Sequence, residues 1–131
     1  MKILEIETRS KVDFQEVTQE IQRAVESDGV GTGLCQVFVP HTTAGIIVNE
    51  HADPSVVQDI TEYLDKLVPQ RAEYRHMEGN SPAHIKASLV GNSLTLIINN
   101  GKIVLGTWQG VFLCEFDGPR RRRIAVNIIE S

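Results

Sequence analysis

Leu34-Cys35-Gln36-Val37-Phe38-Val39, then Pro40-His41-Thr42-Thr43, then Ala44-Gly45-Ile46-Ile47-Val48-Asn49-Glu50: this stretch decides the fold. Its two apolar runs are strand-length and rich in β-branched residues. The polar connection between them is a turn rather than a crossover helix, as are most connections in the chain, which favours mainly antiparallel sheets. The same stretch also carries chemistry. His41, Thr42, Thr43, Asn49 and Glu50 are polar groups in otherwise core-like sequence, and burying such groups is unfavourable unless they find partners. Two further segments of this kind follow, His76 to His84 and Gly106 to Arg123. Together they point to one assembled site.

Working outward, Ile3–Thr8 alternates as a first strand. Asp13 with Glu16 reads as a reciprocal helix cap, followed by Phe14, Val17, Ile21, Ala24 and Val25 at helical spacing. Gly29 suits a left-handed helix end. Asp53-Pro54 starts a second helix with an apolar stripe of Val56, Val57, Ile60, Tyr63, Leu64 and Leu67, stopped at Pro69. Ser81-Pro82 starts a short helix, Pro82–Leu89, ending at Gly91. Leu94–Ile98 and Lys102–Leu105 flank Asn99-Asn100-Gly101, the strongest local hairpin signal in the chain. Val111–Phe116 and Arg123–Ile129 complete the strands. The fold class expected is α+β: mainly antiparallel, sandwich- or barrel-like sheets with two main helices and one short helix outside. No linker or repeat divides residues 1–131, so a single domain is expected.

Composition sets the function classes. The chain has 131 residues, 41% hydrophobic and 23% charged, with net charge −4. That acidic balance argues against nucleic acid or an anionic membrane as partner. No run of ~18 apolar residues offers a membrane span, and the acids of Met1-Lys2-Ile3-Leu4-Glu5-Ile6-Glu7 break a signal-peptide pattern. The expected compartment is the cytoplasm. Cys35 and Cys114 read as reduced, buried thiols.

The histidines are His41, His51, His76 and His84. His84 falls in the first turn of the short helix, whose positive end disfavours an imidazolium. A neutral imidazole is what a metal or a general base requires. His41, His76 and His84 with an open position would suit zinc or a similar divalent ion, although the spacing is that of no named zinc motif. His51 reads as a loop residue near a helix start. Glu50 could hold a histidine in its tautomer or take a metal position. Asp53 is explained as a helix cap. Glu115 marks a strand end or partners an arginine. In the run Arg120-Arg121-Arg122-Arg123 the two-residue strand period sends Arg120 and Arg122 one way and Arg121 and Arg123 the other. The first pair suits a phosphate or carboxylate; the alternative is a solvated edge that blocks aggregation. Thr42, Thr43 and Asn80 add neutral groups. Trp108 could stack on a ring while Gln109 offers amide bonds.

His41-Thr42-Thr43-Ala44-Gly45 with Asn49-Glu50, Gly79-Asn80-Ser81-Pro82-Ala83-His84-Ile85-Lys86, Leu105-Gly106-Thr107-Trp108-Gln109-Gly110 and Glu115-Phe116-Asp117-Gly118-Pro119-Arg120 together resemble the YjbQ family, in the same order and from about Val12 to Ile128. Members are often named secondary thiamine-phosphate synthase enzymes. The resemblance implies a homotrimer. It also implies a transferase joining a pyrimidine diphosphate to a thiazole phosphate, with a divalent metal, zinc or magnesium, or arginines at the departing diphosphate. His41, His84 and Glu50 are then the catalytic candidates, and His41, His76 and His84 the metal candidates. The substrate side is Arg120, Arg122, Thr42, Thr43, Asn80, Trp108 and Gln109. Two other classes fit the same residues: a metal-dependent hydrolase or lyase of a small phosphorylated metabolite, and a non-catalytic trimer that binds an anion.

Overall fold

A computed structural model describes residues 1–131. Eight strands and three helices follow one another as β1 (Lys2–Glu7), β2 (Asp13–Glu16), α1 (Thr18–Asp28), β3 (Thr32–Phe38), β4 (Ala44–Glu50), α2 (Pro54–Leu67), α3 (Ser81–Val90), β5 (Ser93–Asn99), β6 (Lys102–Ile103), β7 (Gln109–Glu115) and β8 (Arg121–Glu130). The strands form a five-stranded sheet, β1-β8-β3-β5-β6, and a three-stranded sheet, β2-β7-β4. Every pairing is antiparallel. The fold is α+β, with curled antiparallel sheets and three helices. The strand pair that opened the sequence reading parts company at its turn: β3 joins the large sheet and β4 the small one. Pro40 to Thr43 therefore bridges the two sheets at one end.

The core lies between the sheets. Cys35, Val37, Ile98, Ile124 and Val126 point inward from the large sheet, and Val111, Leu113 and Ile46 from the small one. Ile21 and Val25 of α1 join the same cluster. A second, smaller cluster lies under α3, where Ala83 and Ala87 meet Cys114 and Phe116. Both cysteines are free and buried. Burial pushes the Cys35 thiol up to about 11 and the Cys114 thiol higher still, so neither is a thiolate nucleophile at neutral pH.

Asp53 caps α2 as expected, accepting from the Ser55 backbone N–H at 3.0 Å. Gly29 adopts φ 81° at the end of α1. Asn100 and Gly101 take φ 51° and 75°, the paired positive angles of a two-residue hairpin turn. The start of α1 corrects the sequence reading. Asp13 and Glu16 do not form a cap. They lie on β2, which pairs with β7 in the register Asp13–Glu115 to Glu16–Phe112. Phe14 packs edge-on against Phe116, centroids 5.7 Å apart, and the Asp13 carboxylate accepts from the Arg9 N–H at 2.8 Å. Local capping chemistry lost to a sheet ladder plus aromatic burial, a tertiary gain invisible to a local pattern. The helix begins later, at Thr18. β6 is also shorter than Lys102–Leu105, and β8 starts earlier than Arg123, at Arg121.

Candidate functional site

At the end of the fold where the two sheets are bridged, four segments converge: the β3–β4 turn, the start of α3, the β7–β8 turn and the first residues of β8. The geometry is anchored by Glu115, the last residue of β7, which is 0% exposed. Its carboxylate is met by Arg122, whose Nε donates to Oε1 at 2.8 Å and whose Nη2 donates to Oε2. Thr8 Oγ1 donates to Oε1 at 2.7 Å and the Asp117 N–H to Oε2 at 3.1 Å. Two donors on each oxygen satisfy a buried carboxylate fully. Arg122 itself is 4% exposed and also donates from Nη2 to Thr43 Oγ1 at 2.8 Å. Its Nη1 carries no protein hydrogen bond.

Arg120 precedes β8 and is held differently. Its Nε donates to the Asp117 carbonyl at 2.7 Å, and its Nη2 to Asp117 Oδ2 at 2.9 Å. Asn80 Nδ2 donates to the same carboxylate oxygen at 3.0 Å. Asn80 Oδ1 is buried without a partner. As the strand period required, Arg121 and Arg123 face away, to Glu7 and Glu5.

His41 Nε2 lies 2.9 Å from the Arg123 backbone N–H and accepts its proton. Burial, then the Arg122 guanidinium, holds the imidazole pKa below its ordinary value. The ring is therefore neutral at pH 7, and with Nε2 accepting, the proton must sit on Nδ1. His76 and His84 stack edge to face, centroids 5.2 Å apart and planes at 86°.

His41, Thr42, Thr43, His76, Asn80, His84, Arg120 and Arg122 line one open cavity of about 450 Å³, whose one apolar side chain is the ring of Pro40. Asp117 and Glu78 line it too. The sequence reading did not select them, although Asp117 stood in a motif. Glu78 lies within the His76 to His84 segment, but nothing in its spacing singled it out there. Glu50, Trp108 and Gln109 are not brought to this cavity within one chain. Ala44 and Glu115 are register partners at the site end of the small sheet, while Glu50 and Gln109 are partners at the other end. Six residues of strand separate the ends by roughly 20 Å. There the Glu50 carboxylate accepts from the Ala52 N–H at 3.0 Å, Gln109 Oε1 accepts from the Gly106 N–H at 2.8 Å, and Trp108 is 64% exposed. Nor do three metal-binding side chains come together: no group of three histidine, cysteine or carboxylate side chains is close enough to hold an ion.

A family model described as "UPF0047 protein YjbQ-like" matches residues 2–131. A UPF0047 protein of Methanocaldococcus jannaschii is 51% identical over 125 residues, 95% of this chain and 91% of that one. YugU of Bacillus subtilis is 42% identical over 130 residues, 98% of each chain. Among solved structures, an uncharacterised YjbQ/UPF0047 protein of Clostridium acetobutylicum superposes with TM-score 0.96 at 50% identity, over 98% of this chain and 100% of that one. The chain belongs to the YjbQ-like UPF0047 family. That family is one of unknown function, and a Sulfolobus solfataricus relative of TM-score 0.95 and 32% identity, over 99% of this chain and 96% of that one, is itself described as a YbjQ-like protein of unknown function.

Proposed function

We propose that this protein is an enzyme acting on a small phosphorylated metabolite held in this predominantly polar cavity. The observation that carries the reading is the state of its two arginines. Arg122 is fixed through Nε and Nη2 by the Glu115 carboxylate, and Arg120 through Nε by the Asp117 carbonyl and through Nη2 by the Asp117 carboxylate; neither Nη1 is spent on a protein acceptor, and both residues line the same cavity. Preorganised guanidinium groups are suited to phosphate oxygens, and being already ordered they lose little entropy on binding. The His41 Nδ1–H and the Thr42 hydroxyl extend the set of donors. His84 adds a second imidazole to the same wall.

The proposed cofactor is a divalent cation, zinc or magnesium. His76 and His84 would hold it: two imidazoles on one tetrahedral ion have centroids about 5 Å apart, and this pair stands at 5.2 Å. His41 does not fit that ligand set, because its Nε2 is engaged by the Arg123 N–H and its Nδ1 carries the proton. The cation would stabilise charge on a departing phosphate or diphosphate. Thiamine-phosphate formation is the specific reaction proposed for trial. The assembly proposed is a homotrimer. Glu50, Trp108 and Gln109 would then serve the cavity only from a neighbouring chain.

Calorimetric titration of inorganic phosphate and diphosphate, followed by an assay of diphosphate release from a pyrimidine diphosphate with a thiazole phosphate, tests the reading. Binding that disappears in Arg120→Ala supports the site. No binding of either anion to the parent protein would refute it, and binding without diphosphate release would remove the thiamine reaction alone.

A further inference from the structure

A second cavity, of about 380 Å³, opens on the other side of α3. Asn80 and His84 face the first cavity, whereas Pro82, Ala83 and Lys86 face this one. At about 100° per residue the two sets lie on different sides of the helix, which is the wall between them. The second cavity has a mixed lining. Val12, Pro69 and Phe116 are apolar, and Lys11 and Lys86 are cations.

Lys86 is the unusual member. It is 6% exposed, yet its only ion-pair partner is Asp65 of α2, whose side chain is 59% exposed. An ammonium has three donors. Asp65 Oδ1 takes one, and no other protein acceptor meets Nζ. Nζ also lies 6.0 Å from the Phe116 ring centroid, at the outer reach of a cation–π contact. A tie between α2 and α3 needs no buried ammonium, since an apolar residue of similar volume stabilises such a position as well or better. The ammonium thus keeps two donors without a protein acceptor on the wall of a cavity, where a ligand's oxygens could meet them.

We propose that this cavity is a second binding site, for a small organic acid whose carboxylate displaces Asp65 and bonds to Lys86 while its apolar body rests against Phe116 and Pro82. Lys11 adds attraction at the rim. Asp65 occupies the ammonium when the site is empty and so competes with the ligand.

The competition gives the test a sign. Benzoate is the probe, titrated into the ¹⁵N-labelled protein and its variants and followed by NMR. Asp65→Asn removes the competing anion and should tighten benzoate several-fold. Lys86→Met keeps the side-chain volume and should weaken it at least tenfold, with the melting temperature recorded to show that the variant is folded. Lys11→Ala should weaken it a few-fold, and this carries the test together with Asp65→Asn if Lys86→Met fails to fold. Arg120→Ala should leave the benzoate-induced shifts around Lys86 and Phe116 unchanged, because Arg120 belongs to the other cavity. The proposal is overturned if benzoate binds neither the parent nor Asp65→Asn, if Asp65→Asn weakens binding, or if folded Lys86→Met binds as the parent does.

Discussion

Among four consecutive arginines, neighbours have different work. Arg122 shares a buried cluster with Glu115, so Arg122→Ala leaves a 0% exposed carboxylate without its cation. The expected loss is about 3–5 kcal/mol of stability, read from urea denaturation midpoints. Arg122→Met combined with Glu115→Leu should recover most of that loss, because the desolvated charges leave together. Arg120→Ala should do the reverse: a stability change of about 0–1 kcal/mol, since the Arg120 side chain is 54% exposed, with phosphate binding weakened by ~1.5–3 kcal/mol. Arg121→Ala should change neither by more than about 1 kcal/mol. A uniform effect across the three variants would contradict this division. The histidines separate in the same residue-by-residue way. The Glu16 carboxylate, 2.8 Å from His51 Nδ1, raises the pKa of that imidazole, whereas burial and Arg122 lower that of His41. His51 thus contributes stability below its unfolded value of 6.5 that is lost as pH rises through the folded value. His41 contributes stability above 6.5 that is lost as pH falls through its folded value. NMR titration of the ring protons should place the His51 midpoint above 6.5 and the His41 midpoint below it. The opposite order would remove the neutral-imidazole argument for His41.

At the scale of elements, α2 is the loosest helix. None of its residues is buried, so it depends on its cap, the Lys86–Asp65 ion pair and partial contacts such as Leu64 against the cluster under α3. Asp53→Ala should cost about 1 kcal/mol and should speed amide exchange in α2 far more than in β7, as hydrogen–deuterium exchange would show. β4 and α3 meet closely at Gly45, where an added Cβ would lie 2.4 Å from Val90 Cγ2 and 2.6 Å from the Gly91 carbonyl. A backbone oxygen cannot swing aside as a flexible side chain can. Gly45→Ala should therefore shift α3 and lower the melting temperature by several degrees, a loss on the order of 1–3 kcal/mol. Because α3 carries His84 and follows directly on Asn80, the same variant should weaken phosphate binding without touching any lining side chain.

At the scale of the whole molecule, the large sheet presents Ile3, Leu34, Phe38, Ile97 and Ile129 as exposed residues. Strand alternation places them on the face away from the core. The proposed homotrimer predicts three times the chain mass by light scattering at micromolar concentration, and Ile97→Glu or Phe38→Glu should lower it if that face is the contact. A monomer in the parent protein would refute the assembly. No helix is long and apolar enough to cross a membrane.

Sequence alone determined whatever depends on neighbours in the chain. The Asn100-Gly101 turn, the Asp53 cap, the Gly29 helix end and the outward turn of Arg121 and Arg123 follow from backbone sterics and strand period, which act over a few residues. It also determined which residues are out of place in a core: His41 and Thr43 were legible as polar groups that require partners, and the strand period set Arg122 on the face opposite Arg121 and Arg123. Tertiary structure decided the rest. Asp13–Glu16 became strand because β7 offered a ladder and Phe116 an aromatic contact, neither present locally. Glu50, Trp108 and Gln109 stand in motifs as polar as the others, yet the β4–β7 register carries them to the far end of the small sheet. Nothing in the sequence singled out Lys86, which is buried by the packing of α3 against α2 and Phe116. Burial and distance are properties of chains folded back on themselves, and no pattern of spacing along one strand contains them.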